Sequence, residues 1–72
     1  MKVKDYLQAT EGIKIVHICK VVACSDGYGT ETSYVARNLN FSTVLEYANK
    51  TINYVNLEYS KDYGIVAEIY IK

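Results

Sequence analysis

Apolar and polar positions along the chain change period several times, and each change marks an element. Val3, Tyr6 and Leu7 recur at i, i+3 and i+4. That spacing predicts a helix of about two turns, which Gly12 can terminate and which holds only by docking on another layer. Ile13 to Ala23 is rich in β-branched residues and free of turn signals, which predicts the longest strand. Its alternation is clean on neither side. Ile13, Ile15, His17, Cys19, Val21 and Ala23 fall on one face, and Lys14, Val16, Ile18, Lys20, Val22 and Cys24 on the other. Such a strand is either covered on both faces or bulged near its middle.

Ser25-Asp26-Gly27-Tyr28-Gly29 is a turn cluster, so the chain is expected to reverse there and return as a strand over Thr30 to Arg37, with a helix from Glu31 as the alternative. Asn40 or Ser42 can cap a helix carrying Phe41, Val44, Leu45 and Ala48 at helical spacing. Thr51 to Tyr59 alternates again, and after Ser60-Lys61-Asp62-Tyr63-Gly64 the chain ends in Ile65, Ala67, Ile69 and Ile71 set against Val66, Glu68, Tyr70 and Lys72. Pairing Tyr59 with Ile65 brings Leu57 opposite Ala67 and Val55 opposite Ile69, so the apolar faces coincide without a slip. This face, with Tyr59 and the helical Tyr6, is expected to meet the helices. The expected architecture is α+β: a single domain over residues 1–72, with a four-stranded, mostly antiparallel sheet and two short helices on one face.

Composition narrows the function. Eight Lys and Arg cancel eight Asp and Glu along the chain, which disfavours both direct nucleic-acid binding and acidic mimicry. Near-zero net charge and an exposed edge strand favour homo-oligomers. No run is long and apolar enough to span a membrane, and the first ten residues have no hydrophobic signal region. The expected location is therefore cytoplasmic, with Cys19 and Cys24 as reduced thiols, since an extended segment holds them about 16 Å apart.

Candidate chemistry is sparse. His17, Cys19 and Cys24 lack the spacing of a metal site, and along one strand His17 is more than about 20 Å from Cys24, so the pair does not form a thiol active site. Gly27-Tyr28-Gly29 lacks the third glycine, capped helix and lysine of a phosphate loop. No metal, cofactor or catalytic set is expected. Eight tyrosines with one histidine and no tryptophan point instead to contact chemistry, because a phenol joins a large apolar ring to a polar tip. Tyr54, Tyr70 and Val66 share the less apolar face of the terminal hairpin, with Tyr63 at its rim and Tyr28 in the other turn, as the expected partner-binding surface. Lys20, Arg37 and Lys61 are candidate anion contacts.

The opening Met1-Lys2-Val3-Lys4-Asp5-Tyr6-Leu7, the strand-turn segment and the closing hairpin from Ile52 to Lys72 together resemble a loose group of small phage and prophage proteins of Gram-positive bacteria. Those proteins often begin with a valine-lysine-aspartate-leucine helix and end in a short aliphatic strand. Members with known roles often inhibit bacterial defence systems, CRISPR effectors among them, by stoichiometric binding. The resemblance therefore implies a phage-encoded, anti-CRISPR-like inhibitor acting on a host defence protein in the host cytoplasm, and it carries over no catalytic residue. The alternative is a homo-oligomeric sponge that sequesters a nucleotide signal, stacking its base on Tyr28 or Tyr63 and meeting its phosphate with the three cations.

Overall fold

The computed structural model describes residues 1–10 and 12–72. Helix α1 (Val3–Ala9) is followed by strands β1 (Ile13–Ala23) and β2 (Thr30–Leu39), a 3-10 turn (Thr43–Tyr47), and strands β3 (Ile52–Ser60) and β4 (Gly64–Ile71). The four strands form one sheet in the order β2-β1-β4-β3. Each hairpin is antiparallel, while β1 and β4 run parallel side by side at the centre. The sheet is thus mixed, not mostly antiparallel. A parallel pair needs a long connection, and here β2, the 3-10 turn and β3 together supply it.

The local expectations hold where the information is local. The β3–β4 register pairs Tyr59 with Ile65, Leu57 with Ala67 and Val55 with Ile69. The segment from Thr30 is a strand throughout and not a helix. At the β1–β2 reversal the Asp26 carboxylate accepts from the Tyr28 N–H at 2.9 Å, and Gly27 and Gly29 take φ of 81° and 73°, a conformation that a Cβ would penalise.

Only one of the two expected helices is an α-helix. Asn40 Oδ1 accepts from the N–H groups of Ser42 and Thr43 at 2.9 and 3.0 Å, turning the chain ahead of the element, but the N-cap position is Ser42, whose side chain makes no cap bond, and the element is a 3-10 turn. A three-residue repeat puts Val44 and Tyr47 on the inner side and rotates Leu45 outward. Accordingly Val44 is buried and Tyr47 packs on the core, while Leu45 is exposed; Phe41, which precedes the turn, is exposed as well. The segment before β3 also completes α1, since the carbonyls of Lys50 and Ala48 accept from the N–H groups of Val3 and Lys4, both at 3.0 Å. These are helix N-terminal donors that have no partner within the helix.

Helix and turn cover one face of the sheet, giving a slab of 38 × 29 × 17 Å. Its core includes Val3 from α1, Val44, Val16 and Ile18 of β1, and Ala67 and Ile69 of β4. β1 is both central and bulged: register shifts between Ile13 and Ile15 against β4, and between Val16, Ile18 and Cys19 against β2, send Ile13, Val16 and Ile18 to the helix side. On the helix side Leu57 is 55% exposed and Tyr59 80%, which corrects the expectation that both are core residues. They lie on the expected face but at its margin, on the outermost strand, where the short helix does not reach. Among the described residues no helix is long and apolar enough to cross a membrane.

Candidate functional site

The helix-free face of the sheet is built from a lateral row that the sequence distributes over every strand. Tyr34 of β2 sits opposite Cys19 of β1, Cys19 beside Tyr70 of β4, and Tyr70 opposite Tyr54 of β3. Interstrand spacing makes the row roughly 14 Å wide. Tyr54 and Tyr70 stack with centroids 4.3 Å apart and planes 12° from parallel. Cys19 is the small member of the row. Flanked by larger side chains, it is fully buried although helices cover only the opposite face.

The next row holds His17 beside Glu68 and Glu68 opposite Asn56. Glu68 is the only charged side chain of β4 and is just 4% exposed. The Tyr34 hydroxyl donates to its Oε2 at 2.7 Å and the Asn56 amide to its Oε1 at 3.1 Å. Burial pushes the Glu68 carboxyl up, but these two hydrogen bonds, with a further one from Glu58, outweigh it and hold the group below the ordinary carboxylate value. The reciprocal effect appears on Tyr34, whose phenol is pushed up to about 12, first by its hydrogen bond to Glu68 and then by desolvation and the carboxylate charge. Burial, followed by the Glu68 charge, raises the Cys19 thiol to about 11.

The surroundings complete the network. Tyr70 and Thr32 share a hydrogen bond of 3.0 Å between their hydroxyls. Arg37 lies over the Tyr34 ring, 4.3 Å from its centroid, and His17 meets the same ring edge-on at 5.8 Å. His17 Nδ1 accepts from the Asn38 N–H at 3.0 Å. Asn38 stands at the β2 irregularity with φ 57°, a left-handed conformation that asparagine tolerates better than most residues. Among the described residues no buried polar side-chain atom lacks a partner.

Of the residues expected at a contact surface, Tyr54, Tyr70 and Val66 do share this face. Their exposures differ: Tyr54 is 47% exposed, whereas Tyr70 is 6% and Val66 5%. Tyr70 and Val66 therefore form the floor of the surface, and Tyr54 is the member a partner can reach. Tyr28 is exposed at the β1–β2 tip and Tyr63 is half-exposed in the β3–β4 turn. Because β1 and β4 are parallel, these turns lie at opposite ends of the sheet and do not join the face into one patch. The three cations do not converge either. Arg37 is on the helix-free face over Tyr34, Lys20 points to the other side of β1 from its neighbours Cys19 and Val21, and Lys61 is in the β3–β4 turn.

Sequence reasoning missed Tyr34, Glu68, Asn56, Thr32 and the role of His17. One signal was present, a lone carboxylate within an otherwise uncharged closing strand. Asn56, 12 residues away, lies opposite Glu68 in the register expected for the terminal hairpin, whereas Tyr34, 34 residues away, has no local signature. Comparison with family models, with curated proteins and with solved structures returned no match.

Proposed function

We propose that this chain is a non-catalytic binding protein that engages a protein partner through the helix-free face of its sheet. The observation that carries this reading is the Tyr34–Cys19–Tyr70–Tyr54 row with its hydrogen-bonded floor. Exposed phenols and a guanidinium stand on a layer whose polar atoms are already paired, so little ordering remains to be done on binding. Tyrosine and arginine on a rigid support are the side chains that dominate interface energies. The titratable groups favour binding over catalysis. Glu68 has both oxygens engaged and a low pKa, unlike a general acid or base poised near neutrality, and a thiol near pKa 11 stays protonated where a nucleophile would not.

The resemblance of the opening and closing segments to small phage proteins supplies the partner class. The target is a bacterial defence protein, held stoichiometrically in the host cytoplasm by a phage-encoded inhibitor. Lys20, Arg37 and Lys61 are separated within one chain, so the nucleotide-sponge alternative requires a second copy to bring cations together at a phosphate.

The test is capture from lysate of a bacterial host, followed by affinity measurement with the captured protein. Tyr54→Ser is expected to leave the melting temperature nearly unchanged and to weaken binding by about 2 kcal/mol or more, as for an aromatic anchor. Tyr70→Ser is not equivalent, because that ring is buried and its loss destabilises the fold. A co-purifying nucleotide in place of a protein would overturn the reading, as would full affinity in Tyr54→Ser together with loss in Tyr28→Ser.

A further inference from the structure

We infer that the chain forms a two-fold dimer by antiparallel pairing of β3 with β3 of a second copy, centred on Leu57. This goes beyond the proposed binding face and does not depend on it. The two outer strands of the sheet differ as edges. β2 is interrupted by register shifts, with Asn38 in a left-handed conformation, features that blunt an edge against further pairing. β3 shows one irregularity, between Ile52 and Tyr54, and then runs regularly to Ser60.

The start of β3 is already occupied. Lys2 bridges Thr51, the Ile52 N–H donates to the Met1 carbonyl at 2.8 Å, and Thr51 receives Lys72 on its other side. The outer edge from Tyr54 to Ser60 is thus the regular stretch left open. Its centre is Leu57.

Self-complementarity selects the register. With the two-fold axis through Leu57, Leu57 meets the partner's Leu57, Val55 meets the partner's Tyr59, and Asn56 meets the partner's Glu58. Apolar residues that are exposed on the helix side, Leu57 and Tyr59, find apolar partners, and each carboxylate finds an amide. Centring on Glu58 would set like charges directly opposite, which destabilises a sheet. Centring on Asn56 would confine the regular pairing to Tyr54–Glu58, because Ile52, opposite the partner's Ser60, is already held by Met1. Zero formal net charge adds no long-range repulsion between copies. Both helix layers then lie on one side, and the two helix-free faces join in a continuous eight-stranded surface.

Sedimentation at micromolar concentration is expected to give twice the 8.2 kDa chain mass. Leu57→Lys, which places a charge on the edge, is expected to give a monomer with a retained circular-dichroism melt, since this residue contributes little to the core. Disulfide trapping in a Cys24→Ser background reads the register even if Leu57→Lys fails to fold. Leu57→Cys is expected to cross-link at least about tenfold faster than Tyr59→Cys, because the latter pair is offset by four residues, roughly 13 Å, beyond disulfide reach. A monomeric parent protein, a Leu57→Lys variant that remains dimeric, or equal trapping at Tyr59 would each overturn the proposal.

Discussion

Glu68 and Tyr34 show how one residue pair can act on both ends of the pH range of a small domain. The Glu68 pKa is lowered in the fold, so its contribution is present above the ordinary carboxylate value of 4.5 and is lost as pH falls through the lower folded value. The Tyr34 pKa is raised from 10.0 to about 12. Its contribution is complete below pH 10 and disappears as pH rises through the folded value. Denaturant unfolding across pH is therefore expected to show a stability plateau bounded on the acid side by Glu68 and on the alkaline side by Tyr34 together with the buried Cys19 thiol, whose pKa is raised from 9.0 to about 11. Tyr34→Phe should reduce the alkaline limb to the share that Cys19 carries and shift the acid limb upward, because Glu68 loses its shortest hydrogen bond. An unchanged acid limb in Tyr34→Phe would mean that other groups set it.

Among the elements, the terminal hairpin separates register from burial. The pairing of Leu57 with Ala67 and Val55 with Ile69 follows from alternation, yet Ala67 and Ile69 are fully buried while Leu57 is half-exposed. β4 has neighbours on both edges and side chains over both faces, and from Val66 to Ile71 it is buried without interruption. β3 is an edge. Ile69→Ala is expected to cost about 2–5 kcal/mol, as for a buried aliphatic truncation. Leu57→Ala, measured on protein dilute enough to be monomeric, should cost no more than about 0.5 kcal/mol. Comparable losses in urea titrations of the two variants would show that the helical layer extends over Leu57.

At the scale of the whole molecule, the parallel centre divides the sheet unequally. β4 accompanies β1 from Ile13 to Cys19 and no further, so Lys20–Ala23 and Thr30–Ser33 pair only with each other and project beyond the core. Two-stranded ribbons are marginal in water. Amide hydrogen exchange is expected to be slowest in β4 and the first half of β1, and orders of magnitude faster in the projecting hairpin, where opening exposes little apolar surface. Uniform protection along β1 would indicate that something else, such as a second copy, covers the projection.

The sequence by itself determined what short-range physics decides: where the chain turns, which segments are extended, and how β3 registers on β4. Glycine and Asx chemistry act over a few residues, and side-chain alternation is a property of each strand alone. The tertiary structure decided the rest. Only the insertion of β4 between β1 and β3 makes the centre parallel, buries both faces of the closing strand and leaves Leu57 and Tyr59 at the margin. It also gathers Tyr34, Cys19, Tyr70 and Tyr54 into one row and encloses Glu68 between Tyr34 and Asn56. The Tyr54–Tyr70 and Asn56–Glu68 pairs follow from the hairpin register, but bringing Cys19 and Tyr34 to them depends on strand order, a collective outcome of core packing that no local pattern encodes.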